Sequence, residues 1–103
     1  MRTIVLSTCG SRKEAETIAR DIVERKLAAC VNIMPVRSYY RWKGKIEASR
    51  EYLMIVKTRS EVFPRLKARI LFLHPYQLPE VISLKIENGY KKYLDWINKE
   101  IRV

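Results

Sequence analysis

The chain has few of the residues that usually build metal clusters and flexible loops. Its 103 residues include one histidine, two cysteines and three glycines. Cys9 and Cys30 form neither a CxxC pair nor a zinc-ligand spacing, which excludes the common structural zinc motifs. No apolar run approaches the ~20 residues of a membrane-spanning helix, and the apolar stretch after Met1 is too short for a signal peptide. We therefore expect a single cytoplasmic domain over residues 1–103, with reduced thiols and no membrane partner.

The chain also lacks the common catalytic motifs. It contains no GxGxxG, no P-loop, no HExxH and no Ser/His/Asp set. Nothing in these residues demands catalysis or a required cofactor, so we expect a protein that is not an enzyme.

Acidic residues are outnumbered by basic ones, and the net charge is +10. Nucleic acid is the first partner that such a charge suggests. However, Lys and Arg recur along the whole chain with Glu interleaved, which is more typical of an ion-paired surface, as in thermophile proteins. We therefore expect nucleic acid not to be the partner.

Hydrophobic periodicity predicts the order β-α-β-β-α-β, followed by a further helix. The predicted strands cover residues 2–8, 30–42, 46–58 and 81–86. The first two predicted helices are capped by Ser11 and Ser60, and the third follows Asn88. This order is that of the α+β ferredoxin-like sandwich, in which two helices cover one face of a four-stranded antiparallel sheet. The other face is then solvated, covered by the third helix, or covered by a partner.

The second and third strands form an unusually long predicted hairpin. Pro35 indicates an edge strand or a bulge, and Gly44 supplies the positive φ of the turn. The apolar run Tyr52–Thr58 indicates a strand that is buried on both faces. Because the arms exceed the usual five or six residues per strand, we expect their edges to pair with another chain.

The segment His74–Glu80 is a stiff loop, because Pro75 and Pro79 fix the backbone. It presents His74, Tyr76 and Glu80. His74 is either a metal ligand or acid–base group, or a helix C-cap that bonds the last carbonyls.

Tyr40 and Trp42 share one face of the predicted hairpin. They could stack nucleic-acid bases or form a subunit interface, and the absence of the RNA-recognition signature from the third strand favours the interface. Lys57 stands in an apolar strand. It either pairs with Glu47 or Glu80, or reaches water from the strand end.

Cys30 is either a small buried hydrophobic residue or a soft ligand for copper. One cysteine and one histidine are too few for a tetrahedral site in one chain, although a symmetric assembly would multiply the ligands.

Five segments in order resemble the CutA-type divalent-cation tolerance proteins. They are Ala28–Ile33, Ser38–Glu47, Lys57–Thr58, His74–Glu80 and Tyr93–Ile97. The resemblance covers essentially the whole chain and implies a very stable, cytosolic, ferredoxin-like homotrimer, similar in assembly to PII signalling proteins.

The resemblance also implies a role in tolerance of copper or another divalent ion, with His74 and Cys30 as candidate metal ligands. The motifs depart from the family at Leu73, where relatives carry a second histidine, and at Ser7, where some carry a cysteine. The expected subunit cleft contains Tyr40, Trp42, Lys57, Tyr76 and Glu80. The alternative function is a PII-like sensor that binds a small anionic metabolite or nucleotide in that cleft; a protein partner is a further expectation.

Overall fold

The computed structural model describes all 103 residues and contains four strands and three helices in the predicted order. The strands are β1 (Arg2–Cys9), β2 (Cys30–Trp42), β3 (Lys45–Arg59) and β4 (Ile82–Lys85), and the helices are α1 (Arg12–Glu24), α2 (Phe63–Leu73) and α3 (Lys91–Glu100). The sheet is antiparallel with the strand order β2-β3-β1-β4. The predicted ferredoxin-like α+β fold with a C-terminal helix is therefore confirmed.

The two main helices begin differently from each other. At α1 the Ser11 hydroxyl accepts the Glu14 N–H at 3.1 Å and donates to the Glu14 carboxylate at 3.1 Å, as a capping serine should. The predicted Ser60 cap is wrong, because residues 60–62 form a 3-10 turn and α2 starts at Phe63. The Ser60 N–H donates to the Met1 carbonyl at 2.6 Å, so this segment is held against the start of β1 instead.

One face of the sheet forms the core with the helices. Val5, Met54 and Val56 point to this face and have no exposed surface. They pack in one cluster with apolar residues of all three helices, among which are Ile18 of α1 and Ile70 of α2. Ile97 of α3 and Ile101, which follows α3, belong to the same cluster. Tyr90 was expected on the apolar side of this helix, but it precedes α3 and is 70% exposed.

The opposite face of the sheet is open and apolar. Alternation along the strands places Ile82 and Leu84 of β4 on this face, beside Leu6 and Ile4 of β1. Ile82 is 48% exposed and Leu84 is 52% exposed. The apolar side chains of this surface, here called the open face, are Ile4, Leu6, Met34, Leu53, Ile55, Ile82 and Leu84.

The prediction that Tyr52–Thr58 is buried on both faces is wrong for the single chain. Met54, Val56 and Thr58 are buried, but Leu53 and Ile55 are only half-buried. The physical reason is that Leu53 and Ile55 point to the open face, on the side of the strand opposite the core cluster.

The long hairpin is present as predicted, and β2 is an edge strand, in agreement with Pro35. Its strands pair without interruption from Cys30 opposite Lys57 to Trp42 opposite Lys45. Lys43 and Gly44 both have positive φ, of 50° and 78°, which is the two-residue turn that suits twisted strands. The molecule consequently measures 44 × 25 × 21 Å.

A bidentate ion pair joins the two main helices. Arg69 of α2 donates from Nε and Nη2 to the two carboxylate oxygens of Asp21 on α1, both at 2.8 Å. These bonds lower the pKa of Asp21 below its usual value, with Arg25 contributing less. Because the folded-state pKa is lowered, the stabilisation exists above the unfolded pKa of ~3.9 and is lost as the pH falls through the folded pKa.

We expect Asp21→Asn to lower the free energy of unfolding by about 1 kcal/mol at neutral pH. The difference from the parent protein should shrink in acid, as the parent carboxylate also becomes neutral. Urea unfolding at pH ~7 and pH ~3 measures both. Asp95→Asn is the matched control, because Asp95 forms an exposed pair with Lys91 on one helix and should change stability little. An equal loss at both pH values would contradict the ionic origin.

Candidate ligand pocket

His74 joins the loop after α2 to the end of β1. Its Nε2 lies 2.7 Å from the Thr8 carbonyl oxygen, which only accepts hydrogen bonds, so we assign the proton to Nε2. Its Nδ1 accepts the backbone N–H of Tyr76 at 3.1 Å. The side chain is 8% exposed. Both ring nitrogens are therefore engaged with backbone groups, and neither offers a free lone pair to a metal ion.

The predicted C-cap role is met by the backbone of His74 and not by its ring. The His74 N–H donates to the Ile70 carbonyl at 2.8 Å, which closes α2. The imidazole packs edge-to-face against the Tyr76 ring, with the ring centroids 4.7 Å apart. His74 thus fixes the direction in which the loop leaves the helix.

Cys9 lies beside His74 in the core. Its Sγ is 3.8 Å from His74 Nε2, and the residue has no exposed surface. Burial, together with the smaller effect of the charges of Glu14 and Glu51, raises the pKa of the Cys9 thiol to about 11. The thiolate, which is the form that binds metals, is therefore disfavoured at neutral pH.

Tyr76 and Glu51 form the base of a pocket next to this loop. The Tyr76 hydroxyl donates to Glu51 Oε2 at 2.7 Å, and Glu51 is only 7% exposed. Burial and this hydrogen bond raise the pKa of Tyr76, so the hydroxyl keeps its proton. A Cβ at Gly10 would stand 3.2 Å from that hydroxyl, so the glycine leaves room for the ring.

The pocket has a volume of about 600 Å³ and opens under the long hairpin. Its lining combines four aromatic side chains with two carboxylates, which belong to Tyr39, Tyr40, Trp42, Tyr76, Glu51 and Glu80. Four of the five residues expected in the cleft therefore meet here, namely Tyr40, Trp42, Tyr76 and Glu80.

Lys57 is the expected cleft residue that lies elsewhere. It stands opposite Cys30 in the β2–β3 ladder, and its Nζ donates to Asn32 Oδ1. Lys57 therefore does not pair with Glu47 or Glu80 within one chain, because the strand direction carries it away from the hairpin and the loop.

The structure does not bring His74 and Cys30 together within one chain. Cys30 is opposite Lys57, whereas Cys9, which contacts His74, is opposite Tyr52. Five strand positions separate these rows, or about 17 Å at ~3.3 Å per residue. Cys30 is instead near Tyr93 of α3, whose pKa is raised by burial and by this thiol. His74 and Cys30 therefore do not form a metal site within one chain, and their role as ligands across subunits stays a prediction.

No group of three His, Cys, Asp or Glu side chains in the chain could hold a metal ion. The donor set of one subunit therefore does not fit a chelated divalent cation. None of the three helices has the length and hydropathy that a bilayer-crossing helix requires.

Sequence reasoning missed Glu51 and Thr8. The available signal for Glu51 was its position. It lies two residues before Leu53 and four before Ile55, so it shares with them the side of the sheet away from the helices. The burial of Glu51 under Tyr76 could not be predicted from the sequence, because this contact depends on how a loop 25 residues away returns to β3.

The CutA1 divalent ion tolerance protein family model matches residues 3–100. The chain belongs to this family. The divalent-cation tolerance protein CutA of Archaeoglobus fulgidus is 46% identical over 101 residues, which cover 98% of this chain and 99% of the relative. The human protein CutA is 47% identical over 93 residues, 89% of this chain and 52% of the longer human protein.

Solved structures of CutA1-family proteins agree with this assignment. The divalent cation tolerance protein of Thermus thermophilus matches with a TM-score of 0.96 and 46% identity, over 99% of this chain and all of that one. An Archaeoglobus fulgidus structure, described as a periplasmic divalent cation tolerance protein, matches with a TM-score of 0.97 and 45% identity over 99% of this chain and 100% of its own.

Proposed function

We propose that this CutA1-family chain is a cytoplasmic homotrimer that acts in tolerance of divalent cations, with copper as the ion, and that it is a binding module and not an enzyme. The observation that carries the proposal is the open face, where apolar side chains on β4 and β2 lie uncovered beside a hairpin that extends from the body. Contiguous exposed apolar surface of this kind marks an interaction site.

Assembly into trimers is supported by both parts of that surface. Ile82, Leu84 and Met34 are each about half exposed, at 48%, 52% and 46%. Tyr39 and Ile46 on the hairpin are 70% and 72% exposed. Light scattering in dilute buffer tests the proposal: we expect three times the 12.2 kDa subunit mass, whereas a subunit-sized particle would contradict it.

Copper binding is proposed for the assembled protein and not for one chain. Cys30 is the half-buried thiol, and the second cysteine is enclosed in the core. A single thiolate does not complete a metal site, so ligands from other subunits are required. The cytoplasmic location is supported by the cysteines themselves, because two free thiols that lie far apart suit a reducing compartment.

Calorimetric titration of Cu(I), Cu(II) and Zn(II) tests this proposal. We expect copper to bind the trimer more tightly than ~0.1 mM, which corresponds to about −5.5 kcal/mol. Cys30→Ser should weaken binding of Cu(I) by about tenfold or more, because a soft ligand is lost. Cys9→Ala is the matched control and should leave the affinity unchanged. Equal affinities in the parent and in Cys30→Ser would remove Cys30 from the site.

The anion-sensor alternative is less well supported. Glu51 and Glu80 bring negative charge to the pocket, and Lys57, the cation expected in the cleft, lies outside its lining in the single chain. A small anionic metabolite or nucleotide would therefore meet repulsion at its base. Nucleic acid is disfavoured at the same surface for the same reason.

A further inference from the structure

We propose that the hairpin extension, residues 36–51, has two sides of opposite charge, and that the cationic side of one subunit packs against the acidic side of the next. The cationic side carries Arg37, Arg41 and Arg50, and the acidic side carries Glu47 and Glu51. This inference rests on the proposed trimer and names the charged groups that meet at one of its contacts.

The hairpin extension is a two-stranded ribbon beyond the body of the sheet. β1 ends at Cys9, opposite Tyr52, so no third strand flanks residues 36–51. Arg37 of β2 stands directly opposite Arg50 of β3, so both side chains point to the same side of the ribbon. Alternation along β2 places Arg41 on that side as well.

The two opposed arginines have no counter-charge within the chain. Like charges that stand directly opposite each other in a ladder repel. Arg37 and Arg50 are both exposed, and neither takes part in an ion pair. Arg37 Nε donates to the Tyr39 hydroxyl at 3.4 Å, which is neutral and leaves the charge unbalanced. Carboxylates supplied from another chain would relieve this repulsion.

The other side of the ribbon carries unpaired carboxylates. Glu47 and Glu51 stand at odd spacings from Arg50 along β3, so they point to the opposite side. Neither takes part in an ion pair, and the same holds for Glu80, which lies beside Glu51 in the pocket lining. Lys45 is the one basic residue that residues 36–51 place on this side. The acidic side therefore complements the cationic side of a second copy.

Glu51 shows most directly that a partner chain is needed. It is 7% exposed, and the Tyr76 hydroxyl donates to its Oε2 at 2.7 Å, whereas Oε1 has no donor within the chain. A buried carboxylate is costly unless it is paired. An arginine of the adjoining subunit would complete the pairing with charge-assisted hydrogen bonds, for which its planar group is suited.

The opposite directions of the two sides favour a ring over a two-fold dimer. A two-fold contact between ribbons would join identical sides, with arginine against arginine or glutamate against glutamate. In a head-to-tail contact, each subunit offers its cationic side to one neighbour and its acidic side to the other. Three equivalent contacts of this kind close the proposed trimer.

Subunit exchange provides the test, because close charge pairs at an interface act chiefly on the dissociation rate. Unlabelled and isotope-labelled protein are mixed at a temperature where the parent exchanges over hours. Native mass spectrometry then follows the appearance of trimers that contain both kinds of subunit.

Charge reversal on either side should speed the exchange. Arg37→Glu with Arg50→Glu should shorten the half-time by about tenfold or more, because carboxylates then meet carboxylates at every contact. Glu47→Arg with Glu80→Arg should also shorten it, because arginines then meet arginines. The variant with all four substitutions should exchange more slowly than either pair, since opposite charges face each other again.

The helices supply matched controls. Arg12→Glu with Arg20→Glu makes the same change of net charge at exposed positions of α1, and Glu16→Arg with Glu24→Arg makes the opposite change there. Neither control pair should alter the half-time of exchange.

The outcomes separate this contact from the trimer itself. A parent protein of subunit mass would contradict the trimer and the contact together. A parent trimer whose half-time is unchanged by the hairpin pairs, or is changed equally by the helix pairs, would overturn the contact while the trimer stands. A four-substitution variant that exchanges as fast as the faster of the two pairs would also overturn it.

Discussion

Leu84→Lys should convert the protein from a trimer into a particle of subunit mass. Leu84 is 52% exposed in the single chain, so the substitution leaves the core intact. Once subunits cover the open face, however, the new ammonium group would be buried without a partner. Each such charge costs roughly 3–5 kcal/mol, and a trimer carries three of them.

Light scattering over a range of concentrations measures this effect, and circular dichroism verifies that the variant is folded. Ser83→Lys is the matched control, because Ser83 is also exposed on β4 but points to the other side of the strand. We expect Ser83→Lys to keep the parent mass. A Leu84→Lys trimer that survives at nanomolar concentration would show that the open face is not the interface.

His74→Ala should lower the free energy of unfolding by about 3 kcal/mol. The substitution leaves the Thr8 carbonyl and the Tyr76 N–H without their partners, and each buried unsatisfied group costs about 1–3 kcal/mol. It also leaves a cavity where a nearly buried ring stood. Because Tyr76 loses its anchor, its hydroxyl should also hold Glu51 less firmly.

Two further variants separate the contributions of the two ring nitrogens. His74→Gln offers a side-chain N–H in the region of Nε2, and His74→Asn offers an oxygen in the region of Nδ1. We expect each to recover part of the stability that His74→Ala loses in urea unfolding. If all three variants unfold like the parent, the hydrogen bonds of the His74 ring to the Thr8 carbonyl and the Tyr76 N–H contribute nothing measurable to stability.

The His74 variants also bear on copper binding. Since both ring nitrogens are engaged with backbone groups, His74→Gln should change the copper affinity of the trimer little when the fold is intact. A large loss of copper affinity in this stably folded variant would mean that the imidazole leaves the Thr8 carbonyl to bind the ion.

The elements of the fold were predictable because their signals are local. The serine at position 11 with a glutamate three residues later marks the start of α1, and apolar steps of three and four mark its buried side. The Lys43-Gly44 pair marks the hairpin turn. Ser60 was misread because a serine caps a helix only if the chain turns at that residue, and the contact with Met1 moves the turn to Phe63.

The pocket was predictable in part. Tyr40, Trp42, Tyr76 and Glu80 came from two conspicuous segments, and the antiparallel pairing brings those segments to one place. Lys57 does not join them within one chain, because its distance from the hairpin tip depends on the register of β2 against β3. Glu51 was overlooked, because a glutamate in an alternating strand looks like an ordinary surface residue.

Periodicity, capping and turn chemistry in the chain are sufficient to define the order of its strands and helices, and hence a sheet with one covered side. These signals involve neighbours along the backbone, where spacing translates directly into geometry. The folded molecule alone determines that His74 meets Cys9 and not Cys30, and that Tyr76 covers Glu51. Those contacts join residues 25 to 66 positions apart, and they depend on strand register and loop path, which no local pattern encodes.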